Sequence, residues 1–258
     1  MKAVQPVIGT RRAPDFAAID TWIFDLDNTL YPASCKIFDQ IHVRMGEFIA
    51  NLLTVDLDEA RRLQKIYFRE HGTTLRGLMN VHRIDPRTFL DHVHQIDLSP
   101  IPPDTALAAA LAALPGRKLV FTNGTVRHAE NILGHLGIAE HFTGLFDIAD
   151  CNYVPKPDPA GYAELVRRFG IDPSRTVMIE DMAKNLAPAA ALGMTTVWLR
   201  GTIEWATEGA EADYVHHVAE ALTPWLVAIA AERAIVVDTS QGLPHVSGPS
   251  ASRAPRSP

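Results

Sequence analysis

The chain has 258 residues, 47% of them hydrophobic and 21% charged, enough for a sizeable core in one large domain or two small ones. Its net charge of −6 argues against a generic nucleic-acid surface but leaves room for a local basic pocket that binds a small anion. Cys35 and Cys151 are the only cysteines, which implies no disulfide framework and fits a reducing cytoplasm. No apolar run approaches the ~18–20 residues that span a bilayer, and Met1 to Arg12 lack a hydrophobic signal core.

Residues 1–18, with Gly9, Arg11, Arg12 and Pro14 and no sustained periodicity, read as a flexible leader. Trp22, Ile23 and Phe24 form a short apolar run, the pattern of a strand buried on both faces. The run ends in Asp25, Leu26, Asp27, Asn28 and Thr29. Carboxylates at the carboxyl end of a buried strand sit where open α/β sheets bind ligands. Asp and Asn are also common as solvated turn residues. Apolar Ile37, Ile41, Met45, Phe48 and Leu52 then recur at three- and four-residue steps, predicting an amphipathic helix over 36–53. Asp56 or Asp58 can cap a second helix that Gly72 ends. A third helix is expected over 74–82, and Asp85-Pro86 starts a fourth that runs to about His94. Residues 33–100 therefore read as an all-helical insert after the first strand, a candidate lid.

Ile101-Pro102-Pro103-Asp104 breaks the chain before an alanine-rich helix over 105–114. Strands then alternate with helices. The strands are expected over 118–122, 146–149, 176–180 and 195–199, with a candidate edge strand at Tyr214-Val215. The helices end at Leu136 before Gly137, run over 159–169 behind Asp158, over 184–192 before Gly193, and finally over 218–231. Such alternation predicts an α/β fold with a doubly wound parallel sheet, its core built from residues 19–32 and 101–238. From 239 to 258 the chain is rich in Ser, Pro, Gly and Arg and reads as a disordered tail.

Three predicted strands end in reactive chemistry: Asp25 and Asp27, then Thr122 and Asn123, then Glu180 and Asp181. Lys156 lies in the loop Val154-Pro155-Lys156-Pro157-Asp158, just before a helix. In a parallel sheet these ends share one edge, so the side chains can converge. Asp25, Asp181 and a backbone carbonyl make an oxygen-rich site suited to Mg²⁺, a hard cation. Thr122, Asn123 and Gly124 offer a hydroxyl and backbone N–H groups at a helix start, where a phosphate is favoured. Thr122 as a plain helix N-cap and Lys156 as a solvated lysine are the bland alternatives. Carboxylates with one lysine and one hydroxyl suit phosphoryl transfer to an aspartate. The eleven histidines look scattered, His92 and His94 are expected to face opposite ways on their helix, and no zinc pattern emerges.

In order, Asp25-Leu-Asp-Asn-Thr29, Thr122-Asn-Gly124, Lys156-Pro157 and Glu180-Asp181 with Asn185 resemble the four motifs of the haloacid dehalogenase superfamily, over residues 20–220. The resemblance implies a Rossmann-like core with a helical cap. It implies that Asp25 is the nucleophile, that Asp27 is the acid and base, and that Thr122, Asn123 and Lys156 bind the phosphoryl group. Mg²⁺ would be held by Asp25, Asp181 and the backbone carbonyl of Asp27, with Glu180 and Asn185 supporting. Within the superfamily, the segment from Tyr67 to Leu78, followed by His82, and the opening Leu26 to Pro32 are most similar to pyrimidine 5′-nucleotidases. That similarity implies substrates such as UMP and CMP, with Arg76 contacting the nucleotide or lying solvated on its helix.

Rival readings are a phosphoglycolate-type or broad small-molecule phosphatase, and a carbon–halogen hydrolase, which needs neither Asp27 nor Asp181. A receiver-like phospho-aspartate module is the rival of another class, against which the long insert argues, because a lid that excludes water suits turnover. The expected partner is a small phosphate ester, with no nucleic-acid polymer and no membrane.

Overall fold

The apolar run Thr21–Phe24 forms β1, and all four of its residues are buried. It lies at the centre of a sheet whose order is β3-β2-β1-β4-β5-β6, every neighbouring pair running parallel. The other strands are β2 (Arg117–Phe121), β3 (Gly144–Phe146), β4 (Thr176–Glu180), β5 (Thr195–Leu199) and β6 (His217–Ala219). The computed structural model describes residues 16–201 and 204–241.

Alternate residues of the central strands feed two apolar layers, as a sheet covered on both faces requires. Trp22, Phe24, Val177 and Ile179 pack on one face with α5 (Thr105–Ala113), α6 (Val126–Leu136) and α9 (Leu222–Gln241). Ile23 and Met178 pack on the other with α7 (Pro159–Phe169) and α8 (Ala187–Ala191). The sheet is therefore doubly wound. Strand order reverses between β1 and β4, so their carboxyl ends border a crevice of the kind that binds ligands.

Between β1 and α5 the chain is helical: α1 (Ile37–Leu53), α2 (Leu57–His71), α3 (Thr74–His82) and α4 (Pro86–Val93). Asp56, Thr73 and Asp85 cap α2, α3 and α4 through their side chains, and Gly72, at φ 83°, ends α2. The four helices share an apolar centre of their own, including Ile41, Ile49, Tyr67, Leu78 and Phe89. Ile148, from the segment after β3, is buried in that same centre. The helical layer and the sheet are thus joined by packing as well as by chain. Helices α2 and α3 meet at Gly77, where an added Cβ would lie 2.4 Å from Tyr67 Cβ. Gly77→Ala is therefore expected to cost about 1–3 kcal/mol through overpacking. The measurement is the urea midpoint, and an unchanged midpoint would mean the two helices part easily at this crossing.

Five expectations shift. Phe16–Ala18, assigned to the leader, form a 3-10 turn whose Phe16 is buried against Trp22 and Trp225, while residues 1–15 lie outside the described residues. The third strand is Gly144–Phe146 rather than 146–149, because the Asp147 carboxylate accepts the N–H groups of Ala149 and Asp150 and turns the chain. The edge strand is His217–Ala219 rather than Tyr214-Val215: the Tyr214 carbonyl accepts the Thr196 hydroxyl, and ladder pairing starts only at His217. The helix expected over 184–192 divides into a 3-10 turn, Ala183–Leu186, and the short α8. The last helix, α9, starts at Leu222 rather than 218, because Val218 and Ala219 pair with β5 in the sheet, and it extends to Gln241; 242–258, most of the expected tail, lie outside the described residues. No helix among the described residues is long and apolar enough to cross a membrane.

Candidate active site

Asp25 continues β1, its N–H donating to the Ile179 carbonyl at 2.9 Å. The chain then turns through Asn28, at φ 61°, a left-handed conformation that asparagine tolerates better than most residues. This turn sends Thr29 and Tyr31 back over the strand end. The Thr29 hydroxyl donates to Asp25 Oδ2 at 2.9 Å, and the Tyr31 hydroxyl donates to Asp27 Oδ1 at 2.6 Å.

Beside it, β2 ends in Thr122, Asn123, Gly124 and Thr125. Thr125 is the N-cap of α6, accepting the His128 N–H at 3.2 Å. Thr122 does not cap the helix: its hydroxyl accepts the Gly124 N–H at 2.9 Å. A Cβ on Gly124 would sit 3.1 Å from the His128 ring and 3.2 Å from the Thr122 hydroxyl, so a larger residue crowds both. Asn123 Oδ1 accepts the Lys156 N–H at 2.9 Å, tying the lysine's loop to this one.

Lys156 is buried at the centre of the site. Its Nζ donates to Asp25 Oδ1 at 2.7 Å, to Glu180 Oε2 at 2.7 Å and to the Phe121 carbonyl at 2.9 Å. An ammonium has three N–H donors, so all of them are engaged. Asp25, Glu180 and Asp181 each place a carboxylate oxygen within 4.8 Å of the others, all three residues being buried. Three carboxylates thus face one ammonium. Glu180 also accepts the Met182 N–H through Oε1, so both of its oxygens are taken. Asp25 likewise accepts Lys156 on Oδ1 and Thr29 on Oδ2, so all three carboxylates stand as candidate ligands for a cation. Hard oxygen donors around an uncompensated negative charge fit a divalent ion such as Mg²⁺.

The charges respond accordingly. Burial pushes the Asp25 carboxyl up to about 7, repulsion from Glu180 adds to this, and Lys156 offsets only part of it. Burial, then Glu180 and Asp25, raise Asp181 well above the usual carboxylate range. Burial works against charge on Lys156 too, but Asp25 and Glu180 outweigh it and hold the ammonium above its ordinary value. Asp27 behaves oppositely: burial opposes its charge, yet His128 and Tyr31 prevail and bring it down to about 2. His128 is raised, burial being outweighed by Asp27, whereas burial and His128 hold His94 down to about 3.

The structure therefore brings Asp25, Lys156, Glu180 and Asp181 into contact range, with Thr122 and Asn123 on the adjoining loop and Asp27 linked to α6. Asn185 is buried in the turn after β4, its Oδ1 without a hydrogen-bond partner among the described residues. Arg76 is half-buried on α3, and no hydrogen bond or ion pair of its side chain to the described residues joins it to this cluster. Thr29, Tyr31, His94 and His128 are the participants that sequence reasoning missed. For Thr29 and Tyr31 a signal existed, since each lies four residues after the aspartate it touches.

A family model described as haloacid dehalogenase-like hydrolase matches residues 19–193, well over half of the chain. Phosphate metabolism protein 8 of Saccharomyces cerevisiae is 31% identical over 193 residues, covering 67% of this chain and 59% of that protein. This chain thus spans less than two thirds of that relative's length. Glyceraldehyde 3-phosphate phosphatase of Methanopyrus kandleri is 28% identical over 207 residues, covering 69% of this chain and 82% of that protein. In fold, a HAD phosphatase from Thermococcus onnurineus superposes with a TM-score of 0.59 at 17% identity, covering 83% of this chain and 100% of the other.

Proposed function

This chain belongs to the haloacid dehalogenase-like hydrolases, and from that premise we propose that it is a Mg²⁺-dependent phosphomonoesterase acting on pyrimidine nucleoside monophosphates. The observation that carries the phosphatase reading is the set of buried carboxylates Asp25, Glu180 and Asp181 around the single ammonium of Lys156, with Asp27 held apart from them. Carbon–halogen hydrolysis needs a nucleophilic aspartate but neither a cation site nor an acid for a leaving oxygen. The names of the two relatives, one for phosphate metabolism and one for a phosphatase, support the same reading.

An oxygen of Asp25 attacks phosphorus, the ester P–O bond breaks, and its electron pair passes to the leaving oxygen. Asp27, ionised beforehand, takes the proton carried by the monoanion of the phosphate ester and passes it to that oxygen. Water then attacks phosphorus of the aspartyl-phosphate, Asp27 takes a water proton, and Asp25 is regenerated as phosphate departs. Thr122 and Asn123, with the N–H groups of their loop, hold the phosphoryl oxygens. Lys156 acts on them through its charge, because its N–H donors are already used. Asp25, Asp181 and the backbone carbonyl of Asp27 would hold Mg²⁺, which when bound would neutralise charge on the phosphoryl group and the carboxylates. Glu180 and Asn185 support this arrangement. Arg76, on α3 of the helical layer, is the cation assigned to the nucleotide's polar groups.

The test is phosphate release from UMP, CMP, AMP, GMP, phosphoglycolate, glyceraldehyde 3-phosphate and p-nitrophenyl phosphate, with Mg²⁺ and after chelation. UMP and CMP are expected to exceed the purine nucleotides by at least about tenfold in kcat/KM, with activity lost in EDTA and restored by Mg²⁺. Turnover confined to the non-nucleotide esters would replace the nucleotidase reading by a small-metabolite phosphatase, the alternative that the Methanopyrus relative favours. Full activity in EDTA would remove the metal site.

A further inference from the structure

His128 lies on α6, in the sheet layer, and its side chain is 1% exposed. Its Nε2 is 2.8 Å from Asp27 Oδ1, the same oxygen that accepts the Tyr31 hydroxyl at 2.6 Å. Asp27 Oδ2 accepts no hydrogen bond among the described residues, although the side chain retains 16% exposure. One oxygen of the carboxylate is therefore clamped by two donors, and the other is left for proton exchange. The His128 ring is itself held from the helical layer. His94, the residue that closes α4, stacks on it with ring centroids 4.3 Å apart and planes 7° from parallel. Nδ1 of His94 lies 3.3 Å from the Thr125 hydroxyl. That hydroxyl oxygen already accepts the His128 N–H, so its proton is available to His94. A residue from the helical layer thus bears on both the N-cap of α6 and the ring that holds Asp27.

We propose that His128, backed by His94, is a positioning residue for Asp27, holding Oδ1 so that Oδ2 faces the leaving oxygen. The proposal rests on the phosphatase reading above and ties the acid, through His128, to a residue of the helical layer. The proton on Oδ2 is the one taken from the monoanion of the phosphate ester; when the Oδ2–H bond breaks, its electron pair stays on the carboxylate and the proton joins the leaving oxygen, which carries the pair from the broken P–O bond. Charge develops on Asp27 at that moment, and the donors on Oδ1 stabilise it without rearrangement. Without His128 the carboxylate can rotate, and the leaving oxygen departs without its proton. A leaving group that is stable as an anion tolerates this, whereas a poor one does not.

Phenyl phosphate and p-nitrophenyl phosphate are similar in shape but differ in how well the departing oxygen bears charge, so kcat on the two esters separates positioning from packing. His128→Leu is expected to lower kcat on phenyl phosphate by at least about tenfold more than on p-nitrophenyl phosphate, within the range that general acids supply. His128→Gln, whose amide can donate to the same oxygen, is expected to recover part of that selective loss. His94→Leu is expected to lose activity in the same direction and by less. Thermal midpoints of the three variants report whether each is folded. Equal losses on the two esters overturn the proposal, whether found in His128→Leu or, should that variant not fold, in His94→Leu. A wild-type protein that releases phosphate in Mg²⁺ from neither these esters nor the nucleotides and small-metabolite esters above overturns the phosphatase reading itself, and the proposal falls with it before any variant is made.

Discussion

Asp25→Asn is expected to reduce phosphate release by at least about 10³-fold, the scale seen when a covalent nucleophile is removed, while leaving the fold intact. The amide keeps the size of the carboxyl: its oxygen can still accept from Lys156 Nζ, which donates to Asp25 Oδ1 at 2.7 Å, while its NH2 can donate to the Thr29 hydroxyl, now 2.9 Å from Asp25 Oδ2. What it loses is the charge that attacks phosphorus. The substitution also has a stability signature with a definite sign. Asp25 is raised in the folded protein from 3.8 to about 7, chiefly by burial. Between those values the folded state holds a proton that the unfolded state has released, so metal-free wild-type protein loses stability as pH climbs through that window. Asparagine does not titrate. In metal-free buffer the variant should therefore gain in melting temperature over wild type as pH rises from about 4 to about 7, and hold that gain above. Turnover retained by the variant would end the nucleophile assignment. A melting advantage that shrank with rising pH would mean that burial and Glu180 do not outweigh Lys156 at Asp25.

The chemistry was legible in the sequence because a parallel sheet collects distant residues at one edge. Asp25 and Lys156 touch although 131 positions separate them, and an alternating strand–helix pattern is sufficient to anticipate that they meet. His128 carries no such mark. It is one of eleven histidines, it lies inside an ordinary helix, and its partner Asp27 is 101 positions away. His94 is equally unmarked: it is the capping residue of α4, and the ring it stacks on lies on a helix of the other layer. The shifted strands, β3 and β6, have three residues each, too few for an alternating pattern to locate them. In both places, side chains of Asp147 and Thr196 engage backbone groups next to the strand and decide where pairing stops or starts.

Ile148 gives the helical layer a structural reason to track the site. Its side chain is buried among Phe89, Leu78 and Tyr67, while its N–H donates to the Gly124 carbonyl at 3.2 Å, in the loop that carries Thr122. The same segment leads through Tyr153 to Lys156. Movement of α1–α4 would therefore be felt at the phosphate loop and at the lysine together, and the His94–His128 stack adds a second contact beside Asp27. A layer anchored at these points suits a lid that closes over a substrate and excludes water.

Lys156→Met is expected to be the most damaging single change, abolishing turnover and destabilising the protein by about 3–5 kcal/mol, the cost of leaving buried charges without their partner. For a protein of this size that corresponds to a fall in melting temperature on the order of 10 °C. Methionine fills much of the lysine's volume, so the loss reports charge rather than a cavity. Glu180 and Asp25 would each lose a donor at 2.7 Å, and the Phe121 carbonyl one at 2.9 Å. The loss should be greater at pH 8 than at pH 5. The carboxylates around Lys156 are held high by burial, so at low pH they can take up protons instead of standing unpaired. A double variant separates this account from a general packing defect. In Asp25→Asn/Lys156→Met the ammonium and one of its carboxylates leave together, so the destabilisation should be smaller than in Lys156→Met alone. Simple addition of the two single effects is the alternative for residues that do not interact. If Asp25→Asn is itself stabilising, addition would also soften the double variant, so the coupling term beyond addition is the quantity to read. A coupling near zero would mean that Lys156 does not neutralise Asp25, and the charge balance at the centre of this site would have to be redrawn.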